Sequence, residues 1–104
     1  MNINNFCRSK DKMAVKCDSL AEVKELFIIF QKYHLEWANG TVYNPNYSFI
    51  YKDDYENIFF TNKGTTVHLF YAQMNNINLY TFKQLKNISQ DFLIIAERNL
   101  IYEN

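Results

Sequence analysis

A chain of 104 residues with 48% hydrophobic side chains and only two glycines fits one folded domain and excludes a disordered or low-complexity protein. Eleven basic side chains balance eleven acidic ones, so zero net charge excludes a strongly basic nucleic-acid binder and an acidic mimic of DNA. No apolar run reaches the roughly 18 residues of a membrane span, and Met1 to Phe6 show no secretory signal. A cytoplasmic protein of the host cell with two free thiols is therefore expected.

The chain begins with a polar segment, residues 1–12, that we expect to form a flexible arm. A single domain should then occupy residues 13–104. Its first element is a short strand from Met13 to Cys17, because larger apolar side chains alternate there with Ala14 and Lys16. One side of this strand should therefore face a hydrophobic core.

One long helix is predicted from Leu20 to Tyr33. Ser19 and Glu22 have the spacing of a capping box, in which the hydroxyl accepts a helical N–H and the carboxylate returns to the cap. His34 stands where a residue in the left-handed conformation should end the helix. Ile28 and Ile29 lie off the main apolar stripe of this helix. They favour either a second buried side of the helix or self-association of the protein. The stripe itself comprises Leu20, Val23, Leu26, Phe27, Phe30 and Tyr33.

Short strands and tight turns are predicted for the middle of the chain. Asn39-Gly40 and Asn62-Lys63-Gly64 are typical of hairpin turns, because glycine supplies the positive φ that such turns need. The predicted strands are residues 35–37, 41–43, 48–51, 57–61, 65–72 and 77–80.

The C-terminal part should be helical. Thr81 is expected to cap one helical turn through Leu85, and Ser89-Gln90-Asp91 to open a last helix. The predicted fold class is therefore α+β, with a short antiparallel sheet, one long N-terminal helix and a C-terminal helix.

No catalytic or metal site is predicted, and no cofactor is expected. Cys7, Cys17, His34 and His68 lack the spacings of metal ligands. Cys17 with either histidine would make a nucleophilic dyad only if the fold brought them together, and no oxyanion loop accompanies them. The spacing favours the interpretation that both thiols are core residues and that both histidines have no catalytic role. The protein is therefore predicted not to be an enzyme.

An aromatic-rich segment is the candidate binding face. Seven rings fall between Tyr43 and Phe60, and alternate residues of a strand cannot all face one core. Three interpretations are open, namely a core with scattered surface tyrosines, a protein-binding face, and base stacking on single-stranded nucleic acid. The protein-binding interpretation uses Tyr43, Tyr47, Tyr51, Asp53, Asp54, Tyr55 and Glu56, with the carboxylates meeting basic side chains of a partner.

Residues 13–40 resemble a pattern of small, uncharacterised phage proteins. The resemblance rests on Val15-Lys16-Cys17 before a capped helix, and on Leu35-Glu36-Trp37-Ala38-Asn39-Gly40 after it. His34 stands where the pattern has a helix-ending glycine. The resemblance implies an origin in a phage or mobile element. By analogy with small phage proteins without catalytic motifs, it implies an inhibitor of host defence, of which anti-CRISPR proteins are the best-known group.

Two functions are expected from these observations. The first is a non-enzymatic inhibitor that binds a bacterial defence protein, such as a CRISPR effector, and blocks it sterically, with self-association into a homodimer at micromolar concentration. The alternative is a small protein that binds a nucleic acid or a signalling nucleotide through basic side chains and exposed tyrosines. The basic side chains proposed for it are Arg8, Lys10, Lys12 and Lys16.

Overall fold

Helices and strands are interspersed along residues 1–46 and 53–86, the parts of the chain that the computed structural model describes. In chain order they are α1 (Ile3–Arg8), β1 (Met13–Lys16), α2 (Leu20–Lys32), α3 (Asp53–Glu56), β2 (Ile58–Thr61), β3 (Thr66–His68), α4 (Leu69–Met74) and β4 (Asn78–Thr81). Residues 82–86 are also helical. The α+β class is confirmed, whereas the strand predicted at 48–51 and the helix predicted from Ser89 lie outside the described residues.

The four strands form one mixed sheet in the order β3-β2-β1-β4. β1 pairs antiparallel with β2, and Val15 lies opposite Phe60. On its other side β1 pairs parallel with β4, and Val15 lies opposite Tyr80. The predicted antiparallel sheet was wrong for this second pair. Side-chain alternation shows which face of a strand is buried, but it does not show which way a neighbouring strand runs.

The two faces of the sheet carry two hydrophobic clusters of different size. The larger cluster lies between the sheet and helices α1 and α2, and Met13, Val15 and Cys17 point into it as predicted. The smaller cluster lies on the opposite face, under α4. It consists of Ala14, Phe59, Val67 and Ala72, with Ile77 and Leu79 packed against it.

Helix α1 occupies the segment that was expected to be a flexible arm. Asn2 caps it by accepting a hydrogen bond of 2.8 Å from the Asn5 N–H. The Phe6 side chain is fully buried, and its ring stacks on Phe30 with centroids 6.3 Å apart. The arm prediction was wrong because one short apolar pair, Phe6 and Cys7, gives no periodicity that a sequence pattern could reveal.

Helix α2 follows its predicted bounds closely, although α1 makes it the second helix of the N-terminal half rather than the only one. The Ser19 hydroxyl accepts from the Glu22 N–H at 3.2 Å, and the Glu22 carboxylate accepts from the N–H of Asp18 rather than from Ser19 itself. His34 has φ 59°, and the Leu35 N–H donates to the Phe30 carbonyl at 2.9 Å. This left-handed ending confirms the predicted helix stop.

Both predicted glycine turns are present. Gly40 has φ 87° and Gly64 has φ 79°. The Gly64 turn joins β2 to β3, as predicted. Strands were predicted on either side of Gly40, at residues 35–37 and 41–43. The structure has only a single β-bridge there, between Glu36 and Val42. Too few residues pair there to extend a ladder.

Candidate functional site

The described residues of the predicted binding segment differ in burial. Tyr43 lies in the core and has no exposed surface, so its assignment to a partner-binding face is wrong in this conformation. Asp53 to Glu56 form the short helix α3 instead of a loop. Tyr55 is half-buried and packs against the larger cluster, and Glu56 is exposed. Tyr47 and Tyr51 lie outside the described residues, so their role stays a prediction.

Tyr43 is buried because three aromatic rings enclose it. Its ring centroid lies 4.3 Å from that of Trp37, 4.8 Å from that of Phe30 and 5.0 Å from that of Phe27. Its hydroxyl has no hydrogen-bond partner among the described residues, and burial raises the pKa of Tyr43. The ring therefore serves packing, as offset and edge-on aromatic contacts usually do in a core.

The two thiols are buried and free, as expected. Burial raises the pKa of Cys7 to about 12. The pKa of Cys17 is also raised, first by burial and then by the nearby charges of Glu22 and Asp18. A protonated, inaccessible thiol is a poor nucleophile. Both side chains belong to the larger cluster, so their chemistry is that of small core hydrophobes.

We expect neither thiol to react with an aromatic disulfide reagent at pH 8 in the folded protein, and both to react in denaturant. Their raised pKa values keep them protonated while the fold persists. The raised thiol pKa values also make the stability of the fold depend on pH. Their contribution to the free energy of unfolding is fully present below the ordinary cysteine pKa of about 8.5, and it is lost as the pH rises towards 12. The single variants Cys7→Ala and Cys17→Ala show which thiol gives rise to each part of the reaction with the disulfide reagent. A native thiol that reacted as fast as a cysteine peptide would contradict the burial of that residue.

Residues 1–46 and 53–86 contain no group of three or more histidine, cysteine or acidic side chains that could hold a metal ion. Both histidines lie at helix ends, His34 after α2 and His68 before α4, and both are exposed. Over the same residues, no helix combines the length and the apolar character needed to cross a membrane. A cavity of about 450 Å³ is lined by Gln31, His34, Leu35, Glu36 and Val42, so Glu36 supplies its one carboxylate.

The exposed outer side of α4 is the candidate binding site, and we call it the α4 face. Ala72 anchors the helix in the smaller cluster, and Phe70 and Met74 lie opposite it, one turn apart. Phe70 is 72% exposed and Met74 69% exposed. The α4 face consists of Phe70 and Met74, with Leu69 and Tyr71 exposed at its two flanks. Large apolar side chains grouped in this way mark interaction sites more often than single exposed ones do.

The sequence interpretation missed the α4 face because residues 65–72 were predicted to be one strand. The strand ends at His68, and the helix that follows has no side-chain cap. Its end, however, repeats the geometry found after α2. Asn76 has φ 53°, and the Ile77 N–H donates to the Ala72 carbonyl at 2.9 Å. Asn75-Asn76 was therefore the available signal, since asparagine tolerates this left-handed position.

Across residues 1–46 and 53–86, fold and surface define an α+β domain with a mixed sheet and an exposed apolar helix, α4. Comparison of the chain with protein-family models, with curated proteins and with solved structures finds no match.

Proposed function

We propose that this protein is a non-enzymatic inhibitor that binds a bacterial defence protein through the α4 face and blocks it sterically. The observation that supports this proposal is the exposure of four large apolar side chains on a six-residue helix. Aromatic and methionine side chains are enriched at the centres of protein interfaces, where a few of them supply most of the binding free energy. The phage resemblance of residues 13–40 suggests the defence protein, with a CRISPR effector as the first candidate.

The chemistry around the α4 face indicates what its target must offer. From Gly64 to Phe82 the sequence contains no aspartate, glutamate, lysine or arginine. Charged side chains are depleted at interface cores, because burying an unpaired charge is costly. The target should therefore present an apolar groove into which Phe70 and Met74 insert from one side of a helix, as amphipathic helices bind grooves.

The acidic segment predicted from the sequence is proposed as a second contact with the target, separate from the α4 face, because Tyr55 packs against the larger cluster on the other face of the sheet. Asp53, Asp54 and Glu56, with Tyr47, Tyr51 and Tyr55, would meet basic side chains and increase the association rate. Charge reversal of Asp53 and Asp54 to lysine should then lower the association rate more than it raises the dissociation rate. Equal rates for wild type and variant would remove this segment from the proposal.

Replacing Phe70 and Met74 by serine should abolish inhibition while leaving the fold intact, because both side chains are mostly exposed. The assay measures guide-directed DNA cleavage by purified CRISPR effectors, and phage plating on cells with active CRISPR immunity, with and without the protein. Hot-spot residues contribute about 2 kcal/mol or more each, so loss of both side chains should weaken binding by about a thousandfold.

The matched control is the double variant Ile28→Ser and Val42→Ser. Both residues are exposed, at 55% and 59%, so it removes exposed apolar surface away from α4. It should inhibit as the wild type does. Wild-type protein without any effect on immunity would contradict the inhibitor proposal. Light scattering on the same samples tests the expected homodimer. A wild-type dimer that the Phe70 and Met74 variant converts to monomer, with inhibition retained, would assign the α4 face to self-association instead.

A further inference from the structure

Basic side chains collect at the end of the domain where β1 begins. Arg8 ends α1, Lys10 and Lys12 lie in the connection to β1, and Lys63 lies in the turn between β2 and β3. All four are exposed. We call them the basic end. Asp11 is the one acidic side chain within residues 8–12 and 62–64, and Glu36 belongs to the loop whose backbone lies against Gly64, so the four cations outnumber the nearby carboxylates.

A buried asparagine fixes the geometry of the basic end. The Asn62 side-chain amide donates to the carbonyls of Phe6 and Asp11, both at 2.9 Å, and its oxygen accepts from the Met13 N–H at 3.1 Å. The Lys63 ammonium donates to the Ser9 carbonyl at 2.8 Å. These bonds tie the connection before β1 to the turn after β2. These hydrogen bonds join residues 49 to 56 positions apart in sequence, so tertiary contacts fix the backbone segments that carry the four cations.

Three lysines at the opposite end of the domain form ion pairs that the cations of the basic end do not form with any described residue. Lys16 and Lys83 pair with Asp18, at 3.4 and 3.7 Å, and Lys86 pairs with Glu25 at 2.8 Å. Within the described ranges, no member of the basic end forms an ion pair. The basic site inferred from the sequence for nucleic-acid binding therefore changes in one residue. Lys16 lies at the opposite end of the domain, where it forms an ion pair, and Lys63 joins the basic end instead.

Two cations of the basic end also have structural roles, Lys63 through its bond to the Ser9 carbonyl and Arg8 through its place on α1. Arg8 lies in the last turn of α1, where a positive charge complements the helix dipole, and it stacks over the Tyr33 ring at 5.7 Å. Lys10, Lys12 and Lys63 lie outside every helix, so the helix dipole does not explain them. These three lysines carry the inference.

We propose that the basic end binds the phosphate backbone of a nucleic acid without reading its sequence. Exposed, unpaired cations on a fixed loop are what backbone contacts require. No large hydrophobic side chain of residues 8–12 or 62–64 is exposed, so the apolar centre typical of a protein interface is missing there. The site is separate from the α4 face and does not depend on the proposed function. Because the protein has zero net charge, the binding to nucleic acid should be weak. Because it rests on phosphate contacts, the affinity should depend steeply on salt concentration.

Fluorescence anisotropy with labelled single-stranded and duplex DNA of random sequence tests the proposal across a series of salt concentrations. Four phosphate contacts predict that the logarithm of the association constant falls by about 3 to 4 per logarithmic unit of salt. The variant Lys10→Gln with Lys12→Gln should reduce that slope by about 2 and weaken binding at low salt by roughly tenfold. Its fold should persist, because the bonds around Asn62 use backbone atoms of this segment.

The charge-matched control is Lys24→Gln with Lys83→Gln, which removes two positive charges away from the basic end. It should leave the salt slope at the wild-type value. An equal loss in the control would show that only net charge matters and would overturn the site. Absence of DNA binding by the wild type at low salt, or binding of polyglutamate in preference to DNA, would also overturn it. The second result would assign the basic end to an acidic protein.

Discussion

Replacing Gly64 by alanine is expected to destabilise the domain by about 2–5 kcal/mol, from two separate causes. Gly64 has φ 79°, a conformation that costs an L-residue with a side chain roughly 1–2 kcal/mol. In addition, a Cβ atom there would lie 2.5 Å from the Glu36 carbonyl oxygen and 2.6 Å from the Ala38 nitrogen. Both are backbone atoms, so the loop around Trp37 would have to move, which overpacking data put at about 1–3 kcal/mol.

The same substitution at Gly40 separates the two causes. Gly40 has φ 87°, but a Cβ atom there would meet nothing within 4 Å. Gly40→Ala should therefore cost only the conformational term of about 1–2 kcal/mol. Denaturant unfolding of both variants measures the difference. Equal losses would mean that the Glu36 to Ala38 loop does not lie against the β2–β3 turn, and that the Ala38 to Gly64 hydrogen bond of 3.0 Å is absent.

Replacing Phe27 by alanine should produce a loss of about 3–5 kcal/mol, as removal of a buried aromatic ring usually does. Phe27 is 4% exposed, and its ring makes edge contacts with Phe60 at 5.4 Å and with Trp37 at 5.9 Å. It therefore joins α2, the sheet and the loop before Gly40. Since domains of this size have roughly 5–15 kcal/mol in total, the variant should unfold at a much lower temperature.

Ile28→Ala is the control for that prediction, because the neighbouring side chain on the same helix is 55% exposed. Its effect should stay within about 0.5 kcal/mol of the wild type, as for most surface substitutions. If Phe27→Ala does not fold, the milder Phe27→Leu should still show a measurable loss. A Phe27→Ala protein that melts with the wild type would mean that α2 presents a different side to the sheet.

Features set by neighbouring residues could be predicted from the sequence. The Ser19 cap, the left-handed His34 and the glycine turns each depend on contacts within about five residues, and the structure confirms all of them. Thr81 likewise accepts from the Gln84 N–H at 3.0 Å, as its predicted capping role requires. Local chemistry decides such features before any tertiary contact forms.

Features set by distant residues could not be predicted. The parallel pairing of β1 with β4 and the enclosure of Tyr43 depend on which segments meet, and no short-range pattern encodes this. The candidate site was missed for a related reason. Leu69, Phe70 and Tyr71 resemble the middle of a strand by composition, and the short helix that they form is held by Ala72 against Phe59 and Val67 from other parts of the chain.

The central position of β1 also constrains how the chain can fold. β1 is synthesised before its partners β2 and β4, which come from residues 58–81. It cannot enter a complete sheet until β4, more than half the chain away, has been made. Closing such a long loop loses chain entropy before any stabilising contact forms, and this step is slow. Folding should therefore take longer than for a helical domain of similar length. During that interval both edges of β1 would be open to pairing with other chains, which makes the nascent protein a natural client for chaperones.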